Sequence, residues 1–350
     1  TIYKHSVYAI SIDMEHIGKR ISAAREEVKI TQAELAKRID TTQSAVARME
    51  SGRQNISSNM LKKISTALKR NLLSPTPGSL NIGINGGKKL TGTIVTNTSK
   101  NGAVGLLCAA LLNKGKTILH RVPKIEEVYR LIEVLESIGV KIEWENNTLT
   151  LEPPKKFKLG NIDAEAARRT RSIVMFIGPL IHHLESFSLP QSGGCKLGSR
   201  TVRPHYYGLE HFGVEIDTTD DAFKVKVDKK RPSEIILYES GDTVTENVLF
   251  AAALTPSTTV IKYASANYMV QEMCAFLKLC GVKIEGVGTT TMTITGVKEI
   301  DQELEYTLAE DPTDSMFFLA AAIVTESKLN ITRCPIDFLE LELLKLEKMG

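Results

Sequence analysis

The chain has 350 residues, of which 42% are hydrophobic and 24% charged, and its formal net charge is +3. That is the composition of an ordinary globular protein long enough for two or three domains, and no apolar run approaches the ~20 residues a membrane span needs. Five cysteines, at 108, 195, 274, 280 and 334, form no CxxC pair; an odd, scattered set argues for reduced thiols in a cytoplasm and against a disulfide framework or a zinc site.

The opening stretch TIYKHSVYAISID lacks the apolar core and cleavage pattern of a signal peptide. Residues 14–72 then carry 12 Lys/Arg against 6 Asp/Glu, whereas the rest of the chain is slightly acidic. A small basic module joined to a neutral-to-acidic body suits a polyanion-binding domain on a larger partner. Within it, Ile17, Ile21, Ala24 and Val28 recur at helical spacing. Thr31 and Glu34 form a capping box ahead of TQAELAKRI. A short DTT turn leads into QSAVARMESG, and NMLKKISTAL supplies a fourth helix with Leu61, Ile64 and Leu68 on one face. Ala33, Leu35, Ala36, Ile39, Val46 and Met49 are expected to face inward across that turn, which is helix-turn-helix geometry.

The stretch TQAELAKRIDTTQSAVARMESGR resembles the Cro/C1-type DNA-binding family. The resemblance implies that residues 42–50 enter the major groove, with Gln43, Ser44 and Arg48 as base or phosphate contacts and Gln32 and Arg53 on the backbone. It also implies DNA as a partner and a homodimer. The bland alternative is a protein-binding four-helix unit. Residues 73–80, rich in Pro, Ser and Gly, read as a linker.

From residue 81 onward the chain repeats itself. Amphipathic helices ending at Gly139, Gly213, Gly281 and Gly350 lie 74, 68 and 69 residues apart, and each glycine suits a left-handed helix cap. Alternating hairpin strands follow the first three. Ahead of each unit's amphipathic helix stands a nearly all-apolar one: NGAVGLLCAALL, RSIVMFIGPLI, TENVLFAAAL and DSMFFLAAAIV. Helices of that kind belong inside a domain. Each unit is therefore expected to run strand, buried helix, strand, amphipathic helix, hairpin, with sheets outside and helices inside.

Four stretches in this body resemble the enolpyruvyl transferase family: INGGKKLTGTIVTNTSKNGAVGLLCAALL, TRSIVMFIGPL, LPQSGGCKLGSRTVRPH and GVKIEGVGTTTMTITGV. The resemblance implies an inside-out α/β barrel of such repeats over 81–350, two lobes in all, with the second lobe expected to be incomplete. It implies transfer of enolpyruvyl from phosphoenolpyruvate to UDP-N-acetylglucosamine, a step of peptidoglycan precursor synthesis, without metal or cofactor.

By motif, Cys195 takes the role of general acid, and the clustered basic residues around it suit a thiol of lowered pKa. Lys100 and Asn101 fall on a pair that meets both substrates, and Arg171 and Arg200 on arginines that hold phosphate and carboxylate. His205 follows Cys195 at the family spacing, and Gly241 and Thr243 lie where the diphosphate is held. Glu310 occupies the general-base position, with Asp311 one residue away. His182 and His183 read as structural. Arg203 stands where the family carries an acidic residue. A second reading is a transcriptional regulator whose transferase-like body senses a nucleotide sugar or phosphoenolpyruvate without turnover.

Overall fold

A computed structural model describes residues 14–54, 56, 58–68, 88–191 and 201–350. The chain divides into two units, Thr1–Leu90 and Thr91–Gly350.

The first unit is helical: α1 (Met14–Glu27), α2 (Gln32–Arg38), α3 (Gln43–Glu50) and α4 (Ser58–Leu68). Local chemistry sets its boundaries. Thr31 Oγ1 accepts from the Glu34 amide at 3.2 Å while Glu34 Oε2 accepts from the Thr31 amide at 2.7 Å, which satisfies two amides at the start of α2. Thr42 caps α3 through the Ala45 amide. Ile21, Leu35, Ala36, Ile39, Val46, Met49, Leu61, Ile64 and Leu68 form the core. Ala33, expected inside, is exposed. Two residues along a helix turn the side chain by ~200°, so the face that buries Leu35 puts Ala33 in solvent.

The second unit opens with β1 (Thr91–Val95), α5 (Lys100–Ala109), β2 (Thr117–His120), α6 (Glu126–Ser137), β3 (Lys141–Glu145) and β4 (Thr148–Glu152). A second repeat follows with α7 (Ala164–Arg168), a 3-10 turn (Ser172–Phe176) running into α8 (Ile177–Leu180), β5 (Ser186–Pro190), α9 (Arg203–Glu210), β6 (Val214–Thr218) and β7 (Ala222–Val227). The third comprises β8 (Glu234–Ile236), α10 (Asp242–Ala253), β9 (Thr258–Lys262), α11 (Tyr268–Leu279), β10 (Lys283–Glu285) and β11 (Thr291–Thr295). Then come β12 (Leu304–Thr307), α12 (Pro312–Val324), β13 (Lys328–Thr332) and α13 (Glu340–Met349). Gly139, Gly213, Gly281 and Gly350 all have positive φ, between 79° and 102°, the conformation their spacing predicts.

The sheets obey one scheme. In the third repeat β8 pairs parallel with β9, which is followed by the antiparallel β11 and β10. The first repeat's sheet has the same order, but its leading strand is β12, parallel to β2. The predicted leading strand, β1, pairs instead with β13. Residues 100–307, with the three repeats, form one lobe, and β1 with residues 312–350 belongs to a second; the first sheet of each takes a strand from a distant stretch of chain, which crosses between them at 96–99 and 308–311. The second repeat's sheet is three-stranded, β5-β7-β6.

Inside the three sheets lie α5, the 172–180 segment and α10, packed with α11 around Leu107, Phe176, Phe250 and Phe276, all buried. The second of these breaks from a single helix into a 3-10 turn and one α-turn. His182 Nε2 meets the Phe250 carbonyl at 3.1 Å and His183 Nε2 the Leu111 carbonyl at 2.9 Å. Both histidines thus tie this segment to the neighbouring inner helices. The fourth apolar helix, α12, buries only Pro312 and Ser315 among its residues, in contrast to the burial its composition suggests.

Candidate functional site

A cleft of about 1040 Å³ opens in the body where the inner helices begin. It is lined by Lys100, Asn101, Arg171, His205, Gly241 and Thr243 together, which lie far apart in sequence. Ser99 Oγ accepts from the Gly102 amide at 2.9 Å and starts α5 so that Lys100 and Asn101 occupy its first turn. Lys100 Nζ bonds Glu127 Oε2 at 2.6 Å. Glu127 Oε1 also accepts from Ser172 Oγ at 2.7 Å and Thr170 Oγ1 at 3.1 Å. Burial pushes the Glu127 carboxyl up, but these donors outweigh it and hold it below its ordinary value. The lysine is thus positioned at the cleft by a carboxylate that is itself held by two hydroxyls.

His205 sits in the first turn of α9, after Pro204, and is 6% exposed. The Gly178 amide donates to Asn247 Oδ1 at 2.8 Å, so the Asn247 Nδ2 donor faces His205 Nδ1 at 3.1 Å. Nδ1 must then accept, leaving Nε2 protonated and able to donate to Thr243 Oγ1 at 3.4 Å. Burial, assisted by the charge of Arg171, pushes its pKa down to about 3. His205 is therefore a neutral hydrogen-bonding group and not an acid at neutral pH. Gly241 caps α10 with extended backbone, and Thr245 Oγ1 donates to its carbonyl at 2.7 Å, which presents Thr243 at the cleft.

Two carboxyls that the sequence reading missed lie behind this wall. Glu246, 1% exposed, lines the cleft, and its Oε1 has no partner. Burial, then Asp242 and Glu272, pushes its carboxyl well above the ordinary range. Glu272 Oε1 accepts from the Ala309 amide at 2.7 Å while Oε2 is unpartnered, and burial pushes its pKa up to about 7. Both face α5 at its glycines. A Cβ at Gly105 would stand 3.2 Å from Glu246 Oε1, and one at Gly102 would collide with Glu272 Oε2. The available signal was an acidic residue inside each of two otherwise apolar runs, opposite small residues.

Glu310 and Asp311 do not line the cleft. They lie in the crossover at 308–311. Glu310 Oε1 accepts from Arg121 and Arg333, each at 2.5 Å. Burial raises its carboxyl, and the two guanidiniums more than reverse that, leaving it below its ordinary value. Asp311 caps α12 through the Thr313 amide at 2.8 Å and accepts from Tyr268 Oη at 3.3 Å. Cys195 and Arg200 lie outside the described residues. Of the other thiols, Cys108, Cys274 and Cys280 are buried. Burial pushes Cys274 and Cys280 up to about 12, so neither supplies a thiolate near neutrality.

On the helical unit, Gln43, Ser44 and Arg48 on α3 and Arg53 after it are exposed, and Arg48 Nε donates to Gln54 Oε1 at 3.1 Å. Gln32 instead turns inward, its Nε2 donating to Glu50 Oε2 at 2.8 Å beside the Arg25–Glu50 ion pair. Among the described residues no cluster of His, Cys, Asp and Glu is arranged to hold a metal ion, and no helix is long and apolar enough to cross a membrane.

The EPSP synthase (3-phosphoshikimate 1-carboxyvinyltransferase) profile matches residues 84–350, and a helix-turn-helix profile matches 21–73. A UDP-N-acetylglucosamine 1-carboxyvinyltransferase from Thermobifida fusca is 35% identical over 277 residues, covering 76% of this chain and 63% of its own length. UDP-N-acetylglucosamine 1-carboxyvinyltransferase 2 from Caldanaerobacter subterraneus subsp. tengcongensis is 32% identical over 267 residues, covering 76% and 64%. The chain thus spans somewhat under two thirds of these curated relatives. Among solved structures, the enolpyruvyl transferase NikO from Streptomyces tendae superposes with a TM-score of 0.67 at 21% identity, covering 76% of this chain and 64% of that one. EPSP synthase from Acinetobacter baumannii gives 0.53 at 17% identity, covering 70% and 56%.

Proposed function

The chain belongs to the EPSP synthase family of enolpyruvyl transferases, and from that premise we propose that its body transfers enolpyruvyl from phosphoenolpyruvate to UDP-N-acetylglucosamine, for peptidoglycan precursor synthesis in the cytoplasm, while the helical unit binds DNA as a homodimer. The observation that carries this reading is the convergence of Lys100, Asn101, Arg171, His205, Gly241 and Thr243 on one cleft. Such a site has guanidinium and ammonium groups for two anions and neutral donors for a sugar.

In the reaction, the acceptor oxygen bonds to C2 of the enol while C3 gains a proton. Loss of phosphate from C2 and of a proton from C3 then restores the double bond. Cys195 is the proton donor to C3, a role suited to a thiol among positive charges. Arg171 and Arg200 hold carboxylate and phosphate, and Lys100, fixed by Glu127, balances the charge that develops on the departing phosphate. His205, neutral, donates through Nε2 without exchanging a proton. The motif resemblance offers Glu310 or Asp311 as base for the acceptor hydroxyl, and the two arginines on Glu310 count against the first. On DNA, Gln43, Ser44 and Arg48 read the groove and Arg53 holds a phosphate, whereas Gln32 steadies the recognition helix through Glu50.

The test is phosphate release from phosphoenolpyruvate with and without UDP-N-acetylglucosamine. Turnover should fall about 10²–10⁴-fold in Cys195→Ala, the range for loss of a general acid. A second reading, a DNA-binding regulator whose body senses these ligands without turnover, is favoured by one feature: Glu310 is held by two arginines. Operator binding that responds to UDP-N-acetylglucosamine, with no phosphate released, would select it.

A further inference from the structure

The crossover between the lobes is built around a single carboxylate. Residues 96–99 and 308–311 run antiparallel there: the Ser99 amide donates to the Ala309 carbonyl at 2.9 Å, and the Asp311 amide to the Asn97 carbonyl at 2.8 Å. Thr98 and Glu310 face each other across that ladder. Arg121 follows β2 directly and Arg333 follows β13 directly, so they occupy the same place in the first and the fourth repeat. Both have positive φ, 62° and 56°, as does their third-repeat counterpart Tyr263 at 59°. This shared backbone turn swings both guanidiniums back toward the crossover. Thr98 Oγ1 donates to the Arg121 carbonyl at 2.7 Å and fixes one side. On the other, Asp314 Oδ2 accepts from the Asn97 amide at 2.9 Å.

We propose that Arg121, Glu310 and Arg333 form an ionic clip joining the first repeat of each lobe, and that Glu310 acts as a positioning residue for the cleft and not as the base of the reaction. One oxygen, Oε1, takes a donor from each lobe, and the two guanidiniums favour the ionised carboxylate, which weakens it as a proton acceptor. The side chain of Glu310 is 19% exposed, against 27% for Arg121 and 51% for Arg333, which leaves the clip open to salt but not dissolved in solvent. The clip also adjoins the cleft: Ser99, in the crossover, precedes Lys100, and Glu272 grips the Ala309 amide behind it. The denial of the base role rests on the proposed transfer reaction; the clip does not.

Amide hydrogen exchange on the full chain tests it without substrate. Glu310→Gln keeps the shape and removes the charge. It should speed exchange in 96–99 and 308–311 roughly tenfold, the scale of one charge-assisted hydrogen bond, and leave β2 and β4 unchanged. The double variant R121Q/R333Q should do the same, and combining all three changes should add nothing. Glu310→Asp, which keeps the charge, should recover most of the protection. Raising salt should speed crossover exchange in the native chain but not in Glu310→Gln. Unchanged crossover exchange in both Glu310→Gln and R121Q/R333Q would overturn the clip, as would full protection in Gln and none in Asp. A chain that releases no phosphate sinks the transferase reading and leaves these exchange results intact. Where phosphate is released, a Glu310→Gln loss of 10²–10⁴-fold that R121Q/R333Q does not share would return Glu310 to the base role.

Discussion

Two helices of nearly the same character have opposite fates in this molecule. Residues Gly102–Ala109 of α5 are all buried, whereas α12, with FFLAAAIV in its sequence, leaves Phe317 67% and Val324 79% exposed. Composition alone does not separate them. What differs is the surroundings: α5 packs among α10, α11 and the 172–180 segment, inside the sheets of three repeats. Among the described residues α12 packs chiefly against β13, the parallel partner of β1. An all-apolar helix is thus fit to be buried, and burial itself is conferred by the neighbouring repeats.

Substitutions on the two sides of this contrast should separate it in order of size. Phe250→Ala in α10 removes a fully buried ring and should cost about 3–5 kcal/mol in denaturant unfolding of the body; a cost below ~1 kcal/mol would mean the inner layer is not a packed core. Glu272→Gln tests the polar side of that layer. Its carboxyl is raised to about 7 when folded, above its unfolded value of about 4.3, so the native chain should lose stability as pH rises between those two values. The Gln variant should flatten that slope; equal slopes would show that Glu272 titrates normally. Phe317→Ser on α12 should change stability by no more than ~0.5 kcal/mol, and a loss comparable to that of Phe250→Ala would show that α12 is covered after all.

Local chemistry made much of this architecture legible. Thr31 and Glu34 announce the capping box, and the spaced glycines announce left-handed caps, because each depends on residues within one or two turns. Motif spacing likewise brought six residues to one cleft. The exchange of leading strands was hidden, since β12 and β1 differ little in pattern and only their partners distinguish them. Glu246 and Glu272 were hidden for a related reason: a carboxyl in an apolar helix gains its environment from glycines on another helix. The convergence of Arg121 and Arg333 on Glu310 depends on a backbone turn that ordinary arginines do not advertise. The exposure of Ala33 was a matter of phase within one helix.

The borrowed strand has a temporal side as well. Asn113, at the end of the first inner helix, donates through Nδ2 to the Gln302 carbonyl, 189 residues away, just before β12 joins β2. During synthesis from the N-terminus, the first sheet therefore waits with an open edge until three repeats have been made. Contacts of such long sequence separation are slow to form, and an unpaired edge is a place where nascent chains associate. The first repeat to be translated thus has its sheet completed only after the second and third repeats have been made.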